Sequence, residues 1–575
     1  MHTFRVWAPK ARNLSIGIAD KSYPMERGNG GWWTREVREA SAGTDYYFVV
    51  DGGKALPDPR SQWQPFGIDG PSRVVDHSRF PWTDTAWQAK PLSGAIVYEM
   101  HIGTFTPAGT FRSAIECLDY LVDLGITHIE LMPINQFSGR WGWGYDGVDI
   151  YAPHHAYGTP DDLKALVNAC HGKGLAVLLD VVYNHFGPAG NYGGEFGPYF
   201  TEIYKTPWGQ AVNLDRAGSH EVRRFFADNA RMWLRDYHFD GLRLDAVHAL
   251  VDQSAINFLE YLSSEVDALA AQLGRQLVLV AESDLNDPKI VTSREAGGYG
   301  IDAQWSDDFH HALHAVLTGE TNGYYEDFGS LGQLAKALRQ GYVYDGIYSR
   351  HRDRLHGRSP GKLSGHHLFG YSQTHDQAGN RAQGERLSHL LNLGRQKIAA
   401  ALVMTSPFIP MLFQGEEFGA STPFQYFTDH QEEDLARSVS EGRREEFRAF
   451  GWDPEEVPDP QEEETFQRSK LPWGEINEEP HATLLEWYKS LIQLRRGHSA
   501  LTDGRMDLLE VSYDERAKWL ALNRGGIEVL CNLAADRQAI PVRSGRRVLM
   551  ASEPGWQMRP GLLELPADSA AVIAA

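Results

Sequence analysis

The sequence predicts an α/β fold, a (β/α)8 barrel flanked by an N-terminal and a C-terminal β-sandwich. Three observations predict it. From about residue 95, apolar runs of strand length alternate with helix-length segments, and eight such runs can be counted. The runs are continuously apolar rather than alternating, as expected of parallel strands covered on both faces. Before residue 90 and after 505 the rhythm changes to short, partly alternating runs broken by Gly, Pro and Asp.

The elements follow in order. RVWAP, LSIGIA, WWTREV and DYYFVVDG predict a small β-sandwich over residues 1–90, ending in the Pro/Gly/Asp-rich connector PDPRSQWQPFGIDGPSRVVD. The barrel is expected over 91–500. Its strand runs are AIVYEMHIGTF, HIELMPI, LAVLLDVVYN, GLRLDAV, QLVLVAES, IDAQW, YSQTH and IPMLFQGEE. Helices are expected over Phe111–Leu124 and Asp161–Lys173, then at VRRFFADNARMWLRDY, INFLEYLSSEVDALAAQL, LLNLGRQKIAAALVMT and LLEWYKSLIQLRR. Inserts near 321–370 and 420–475 interrupt the rhythm and are read as lids or extra rim loops. WLALN and IEVLCNLA open a second β-sandwich over 501–575. A doubly wound open sheet is the rival architecture, but no GxGxxG turn follows the first strand.

Composition narrows the function classes. Apolar residues make up 42% and charged residues 23% of 575, an ordinary soluble balance. The net charge of −21 disfavours nucleic acid and anionic lipid as partners and leaves neutral ligands open. Cys117, Cys170 and Cys531 are odd in number and form no CxxC pair, so buried free thiols are expected rather than disulfides or a zinc site. No apolar leader run or membrane-length stretch is present, which predicts a cytoplasmic protein.

In such a barrel the chemistry sits at the C-terminal ends of the strands. There the sequence places Asp180, Asn184 and His185 after strand three and Arg243, Asp245 and His248 on strand four. Glu282 and Asp284 end strand five; Trp305, Asp307, Asp308, His310 and His311 follow strand six; and His375, Asp376 and Gln377 end strand seven, with Arg381 just beyond. Alternation puts Arg243 and Asp245 on one side of their strand, and a neighbouring guanidinium favours an ionised carboxylate, the state a nucleophile requires. Glu282 follows VLVA, and apolar surroundings raise a carboxyl pKa, which suits an acid. Asp376 could stabilise positive charge in a water-poor site. Any one of these carboxylates alone could be an ordinary buried ion pair.

DVVYNH (180–185), GLRLDAVH (241–248), VAESD (280–284) and YSQTHDQ (371–377) resemble, as a set, the four short conserved regions of the α-amylase family of glycoside hydrolases. The resemblance implies a retaining hydrolase with Asp245 as nucleophile, Glu282 as general acid/base and Asp376 as transition-state stabiliser. It implies that Arg243, His185 and His375 line the subsite of the attacked sugar and that Tyr145, in WGWGYDG, stacks on it, with a core aromatic as the alternative reading of Tyr145. His248, Trp305, Asp307, Asp308, His310, His311, Gln377 and Arg381 complete the expected sugar-binding set. His248 could equally be a supporting group, and two of Asp307, Asp308, His310 and His311 could instead cap a helix. Trp143, Trp208, Phe424 and Phe427 are further candidates for stacking, with local packing as the alternative. Glu416 and Glu417 are expected to pair with barrel arginines.

Longer segments, among them RWGWGYDGVDIYAPHHAYG, VVYNHFGPAGNY, TPWGQAVNLD and MLFQGEEFGASTPFQYFTDH, resemble the members of that family that cut the α-1,4 bond beside a terminal trehalose unit. The implied partners are α-glucans. A glycogen branching or debranching enzyme of the same family, or a non-catalytic carbohydrate-binding protein on the same scaffold, are the competing readings. Secreted α-amylases carry a large calcium-binding domain after strand three. Here the segment from Phe186 to about Arg216 is short and Asn184 has few carboxylates near it, so neither metal nor cofactor is expected.

Overall fold

The computed structural model describes residues 1–448 and 453–574, and among them eight parallel strands close into a barrel. They are β1 (Val97–Met100), β2 (His128–Leu131), β3 (Ala176–Val181), β4 (Gly241–Leu244), β5 (Val278–Ala281), β6 (Ala303–Trp305), β7 (Leu368–Gly370) and β8 (Ile409–Phe413). Spatial order follows chain order, and Met411 pairs with Val97 to close the ring. Every residue of these strands is buried, which is why they read as apolar runs without alternation. Val97, Leu178, Val280, Phe369, Ile409 and Met411 fill the interior as one apolar cluster.

The outer wall comprises α1 (Phe111–Glu116), α2 (Leu118–Leu124), α3 (Pro160–Gly172), α4 (Ser219–Asp236), α5 (Phe258–Leu273), α6 (Asp307–Thr318) and α7 (Leu331–Gln340); the short α8 (His375–Gly379) lies at the C-terminal rim, and α9 (Leu393–Thr405) and α10 (His481–Gly497) complete the wall. Local signals set several of their boundaries. Thr159 and Asp162 form a reciprocal capping box with Pro160 at the first helical position of α3. At the other end of α9, Arg495 donates to Met404 O at 2.8 Å and Arg524 to Thr405 O at 2.8 Å, supplying cations to orphan carbonyls. Arg524 comes from the C-terminal sheets, so this contact also fastens them to the barrel.

The expected seventh strand was misplaced, and the first was drawn too long. YSQTH lies beyond β7, because Thr374 and Gln377 form the capping box that starts α8. The first run breaks after Met100 into a helical turn over Ile102–Phe105. Part of the 321–370 insert is α7, a wall helix packed on α6; its remainder includes the hairpin Asp345–Ser349/Arg354–Gly357.

Residues 2–73 form two antiparallel sheets, one ordered around Trp32–Val37 and one around Leu14–Ile18 and Asp45–Val50. Residues 510–574 form a five-stranded and a three-stranded sheet. Among the described residues no helix is long and apolar enough to cross a membrane. All three cysteines are free thiols.

The connector before β1 is tied to the bottom of the barrel by a buried polar knot. His171 lies 2.7 Å from Asp84 Oδ2 through Nδ1 and 3.0 Å from Asp240 Oδ2 through Nε2. His238 also meets Asp84, while Arg275 and Trp87 Nε1 donate to Asp240. Burial pulls the His171 imidazole down, but Asp240 and Asp84 outweigh it and hold it above its ordinary value. Burial pushes Asp84 up, yet bonds from His171 and His238 hold it below the carboxylate range. The histidine's contribution is therefore full below its unfolded value of about 6.5 and is lost as pH rises through the higher folded value. The Asp84 contribution is present above about pH 4 and lost on acidification. Replacing His171 by Gln should lower Tm most near pH 5–6 and progressively less toward pH 9. A deficit that is the same at every pH would contradict the charged clasp.

Candidate active site

The site is built around one guanidinium. Arg243 points into the barrel from β4 and is fully buried. Its Nη1 donates to both oxygens of Asp180, at 2.9 and 2.8 Å, and to Asp245 Oδ1 at 2.8 Å. Its Nη2 lies 3.0 Å from Glu282 Oε2 but off the hydrogen-bonding direction, so that contact is Coulombic. The ring of Trp305 covers the guanidinium at 4.2 Å.

Asp245 leaves β4 at its C-terminal end, where Asn184 donates to its Oδ2 at 2.7 Å and to its carbonyl at 2.9 Å. Asn184, considered above as a calcium-ligand position, is thus engaged in orienting Asp245. The next residue, Ala246, has φ 39°, a left-handed conformation that is costly for a side chain with a Cβ. The turn aims the Ala246 N–H at Glu282 Oε2, 2.7 Å away. Burial pushes Glu282 well above the usual carboxylate range; Arg243 pulls it back, and the charges of Asp245 and Asp376 add to the upward push. Glu282 therefore keeps its proton where an ordinary carboxyl has lost it.

Asp376 rides on α8 and is the most exposed of the three, with a side chain 35% accessible. His375 Nε2 lies 3.4 Å from Asp376 Oδ1 and 2.7 Å from the Tyr145 hydroxyl. Tyr145 stacks on His375 and donates to Asp180 Oδ2 at 2.7 Å. Burial lifts Asp180 to about 6 despite Arg243. His185 is held by Tyr145 O at 3.0 Å and Asn184 Oδ1 at 2.5 Å, with Trp208 stacked on its outer face. The structure thus brings Asp245, Glu282, Asp376, Arg243, Tyr145, His185 and His375 to one end of the barrel.

Near-full-length similarity then gives the arrangement a family. The chain is 49% identical over 99% of its length to the malto-oligosyltrehalose trehalohydrolase of Rhizobium sp. (strain M-11), covering 97% of that protein. The chain belongs to the malto-oligosyltrehalose trehalohydrolase family. The Saccharolobus solfataricus protein of the same name is 45% identical, with 91% of this chain and 89% of that protein covered. Residues 77–196 match the family described as Alpha amylase, catalytic domain, and 508–572 match a domain of unknown function. A crystal structure from Salmonella typhimurium, provisionally assigned as an alpha amylase, superposes with a TM-score of 0.91 at 39% identity, covering 100% of this chain and 97% of that one.

Other expected sugar ligands are engaged elsewhere. Asp308 accepts from Asn286 Nδ2 at 2.7 Å and from the backbone N–H groups of Val343 and Tyr344 at 2.5 and 2.8 Å. It anchors a loop and is only 4% exposed. His310 is buried against His311 and Tyr371, and Trp305 is spent on Arg243. Asp307 accepts from the Tyr371 hydroxyl at 2.6 Å, and burial lifts it to about 6. Gln377 Oε1 caps its own helix, taking the Thr374 N–H and hydroxyl at 2.8 Å each. Arg381 forks onto Glu320 at 2.9 Å and, with Tyr324 and Glu385, lines a rim cavity of about 150 Å³. His311 stacks under Tyr324, and His248 is exposed.

Trp143, Phe424 and Phe427 are packed together as core, whereas Trp208 remains 47% exposed. Glu416 and Glu417 bond hydroxyls, of Ser372 and Tyr488 and of Tyr98 and Tyr120, and among the described residues neither forms an arginine ion pair. Glu99, missed in the sequence, bonds His375 from β1. A lone acid in the apolar run VYEM was the available signal.

Arg243→Lys keeps the charge but cannot span three carboxylates. It should lower kcat by about 10²–10³-fold while the protein stays folded at 25 °C. Near-normal kcat would refute a bridging role.

Proposed function

We propose that the protein is a retaining glycoside hydrolase that cuts the α-1,4-glucosidic bond beside the terminal trehalose unit of maltooligosyltrehalose, releasing trehalose and a maltooligosaccharide. The observation that carries the chemistry is the grip of Arg243 on Asp245 and Glu282 together. Two carboxylates reaching one guanidinium suit the short separation, about 5–5.5 Å, at which the second acts as nucleophile rather than as base for an intervening water. The family supports the choice of substrate.

In the first step Glu282 gives its proton to the glycosidic oxygen, the C–O bond to the departing sugar breaks, and Asp245 Oδ forms a bond to the anomeric carbon. The leaving sugar departs with a new hydroxyl. In the second step Glu282, now ionised, takes a proton from water; the resulting hydroxide oxygen bonds the anomeric carbon, and Asp245 leaves as carboxylate. Asp376 stands beside the ring to offset the positive charge that develops in both transition states. Tyr145, His185 and Arg243 line the attacked sugar's subsite, and Trp208, exposed over His185, offers a ring for stacking.

Incubation with maltooligosyltrehalose should release trehalose, with much slower attack on plain maltooligosaccharide and amylose. New α-1,6 branches on amylose would instead make the protein a transferase. Asp245→Asn keeps shape and removes the attacking charge. It should abolish turnover while the protein stays folded at 25 °C, and retained turnover would defeat the assignment of the nucleophile.

A further inference from the structure

His375 is held between two sets of acceptors. On one side Glu99, on β1, takes the His375 backbone N–H through Oε2 at 3.1 Å, and its Oε1 faces ring Nδ1 at hydrogen-bonding distance. On the other side Nε2 meets the Tyr145 hydroxyl at 2.7 Å. The acceptors around the ring favour one protonation state. A phenol has one O–H, and Tyr145 donates it to Asp180 Oδ2. Asp180 also takes Arg243 on both oxygens and is an acceptor there. The Tyr145 oxygen therefore has no proton left for Nε2, so Nε2 donates to it. A carboxylate is acceptor-only, so Nδ1 donates to Glu99. With Asp180 and Glu99 ionised, both ring nitrogens face acceptors, an arrangement that an imidazolium satisfies.

We infer that Glu99 is a positioning residue that keeps His375 doubly protonated and fixes its Nε2–H edge beside Asp376 and the wall of the sugar site. Both side chains of this pair are 1% exposed, so water does not substitute for the carboxylate. An imidazolium buried this deeply would be costly without a counter-charge. The groups facing the ring come from every neighbouring element: Glu99 on β1, Glu130 on β2, Asp180 on β3, Arg243 on β4, His101 and Tyr145 from the rim, and Asp376 on α8 itself. Burial and the adjacent Glu99 push Glu130 well above the carboxylate range. Burial pulls His375 down, and Asp376 and Glu99 outweigh it, lifting the imidazole to about 9. The two-point bond from Glu99 also sets the first turn of α8 and hence where Asp376 stands.

This inference rests on the hydrolytic reading above, which Asp245→Asn tests separately. The decisive variant is Glu99→Gln, which keeps shape and one acceptor oxygen but removes the charge. In protein labelled with ¹⁵N-histidine, the His375 resonances, identified by their loss in His375→Gln, should show a doubly protonated ring at pH 7.5. In Glu99→Gln the amide retains only one of the two acceptor oxygens, and with the charge and one bond lost the same ring should titrate about one to three pH units lower. The alkaline limb of kcat should move in the same direction. A neutral His375 in the native protein, or a ring and limb unmoved by Glu99→Gln, would overturn the inference even with Asp245→Asn inactive. Should Glu99→Gln fail to fold, Glu99→Asp keeps the charge one methylene away. A titration between native protein and about one unit lower would then support the inference, and an unchanged one would refute it.

Discussion

A cation with no access to water sits at the centre of this barrel, and the site is organised by what it needs. Arg243 is unaffordable in an apolar interior unless anions surround it. Asp180, Asp245 and Glu282 are equally unaffordable without it, as the elevation of Asp180 and Glu282 despite its presence makes plain. The grouping therefore stands or falls together. Its asymmetry is chemically useful. Nη1 makes directed bonds to Asp180 and Asp245, while Nη2 offers Glu282 only an off-axis Coulombic pull. One guanidinium thus bonds the proposed nucleophile tightly and leaves the proposed acid free to keep its proton.

Holding that geometry requires Asp376 to arrive from a different element with little freedom. Its helix, His375–Gly379, is five residues long, far too short to persist on its own. It is fixed at both ends by parts remote in sequence. Thr374 and Gln377 cap the start, and Glu99 takes the first N–H. At the other end Arg443 Nη2, from the insert helix Glu433–Arg448, donates to Gly379 O at 2.6 Å. A cation on the last carbonyls is favourable both as a hydrogen bond and against the helix dipole. The acidic, highly charged insert therefore has a structural purpose at the site that its composition did not disclose.

Much of this was legible before any coordinates. Apolar runs gave seven of the eight barrel strands, because parallel strands buried on both faces leave a signal independent of partner. Polar residues ending those runs gave Asp245, Glu282 and Asp376, because the barrel rule is about strand ends. What stayed hidden was direction within the last turn of chain. Asp308 follows Asp307 by one residue, yet one faces Tyr371 and the other turns away to hold Val343 and Tyr344. Adjacent residues at a helix start diverge by about 100°, and nothing local says which inherits the site. Trp305 and Gln377 show a related limit: each satisfies a neighbour, a buried cation and a helix cap, that the sequence shows only as separate letters. The capping pair Thr374–Gln377 was readable and would have ended strand seven earlier.

The same displacement of roles explains where substrate choice resides. The carboxylates specify how a glycosidic bond is broken and would serve many α-glucans equally well. On the proposed reading, discrimination has to come from groups that a trehalose-capped chain meets and a plain one does not. The deep residues cannot supply it, since Asp308, His310 and Trp305 are committed to holding the frame. What remains exposed lies on loops held by that frame. Trp208 sits on His185, Tyr324 and Arg381 border the rim cavity, and the hairpin at 345–357 is fastened to strand five's end by Arg352 bonding Asp284. Loops pinned this way can present a rigid selective surface while the barrel beneath stays unchanged. Specificity can then change by altering the rim without disturbing the buried charges that the chemistry requires.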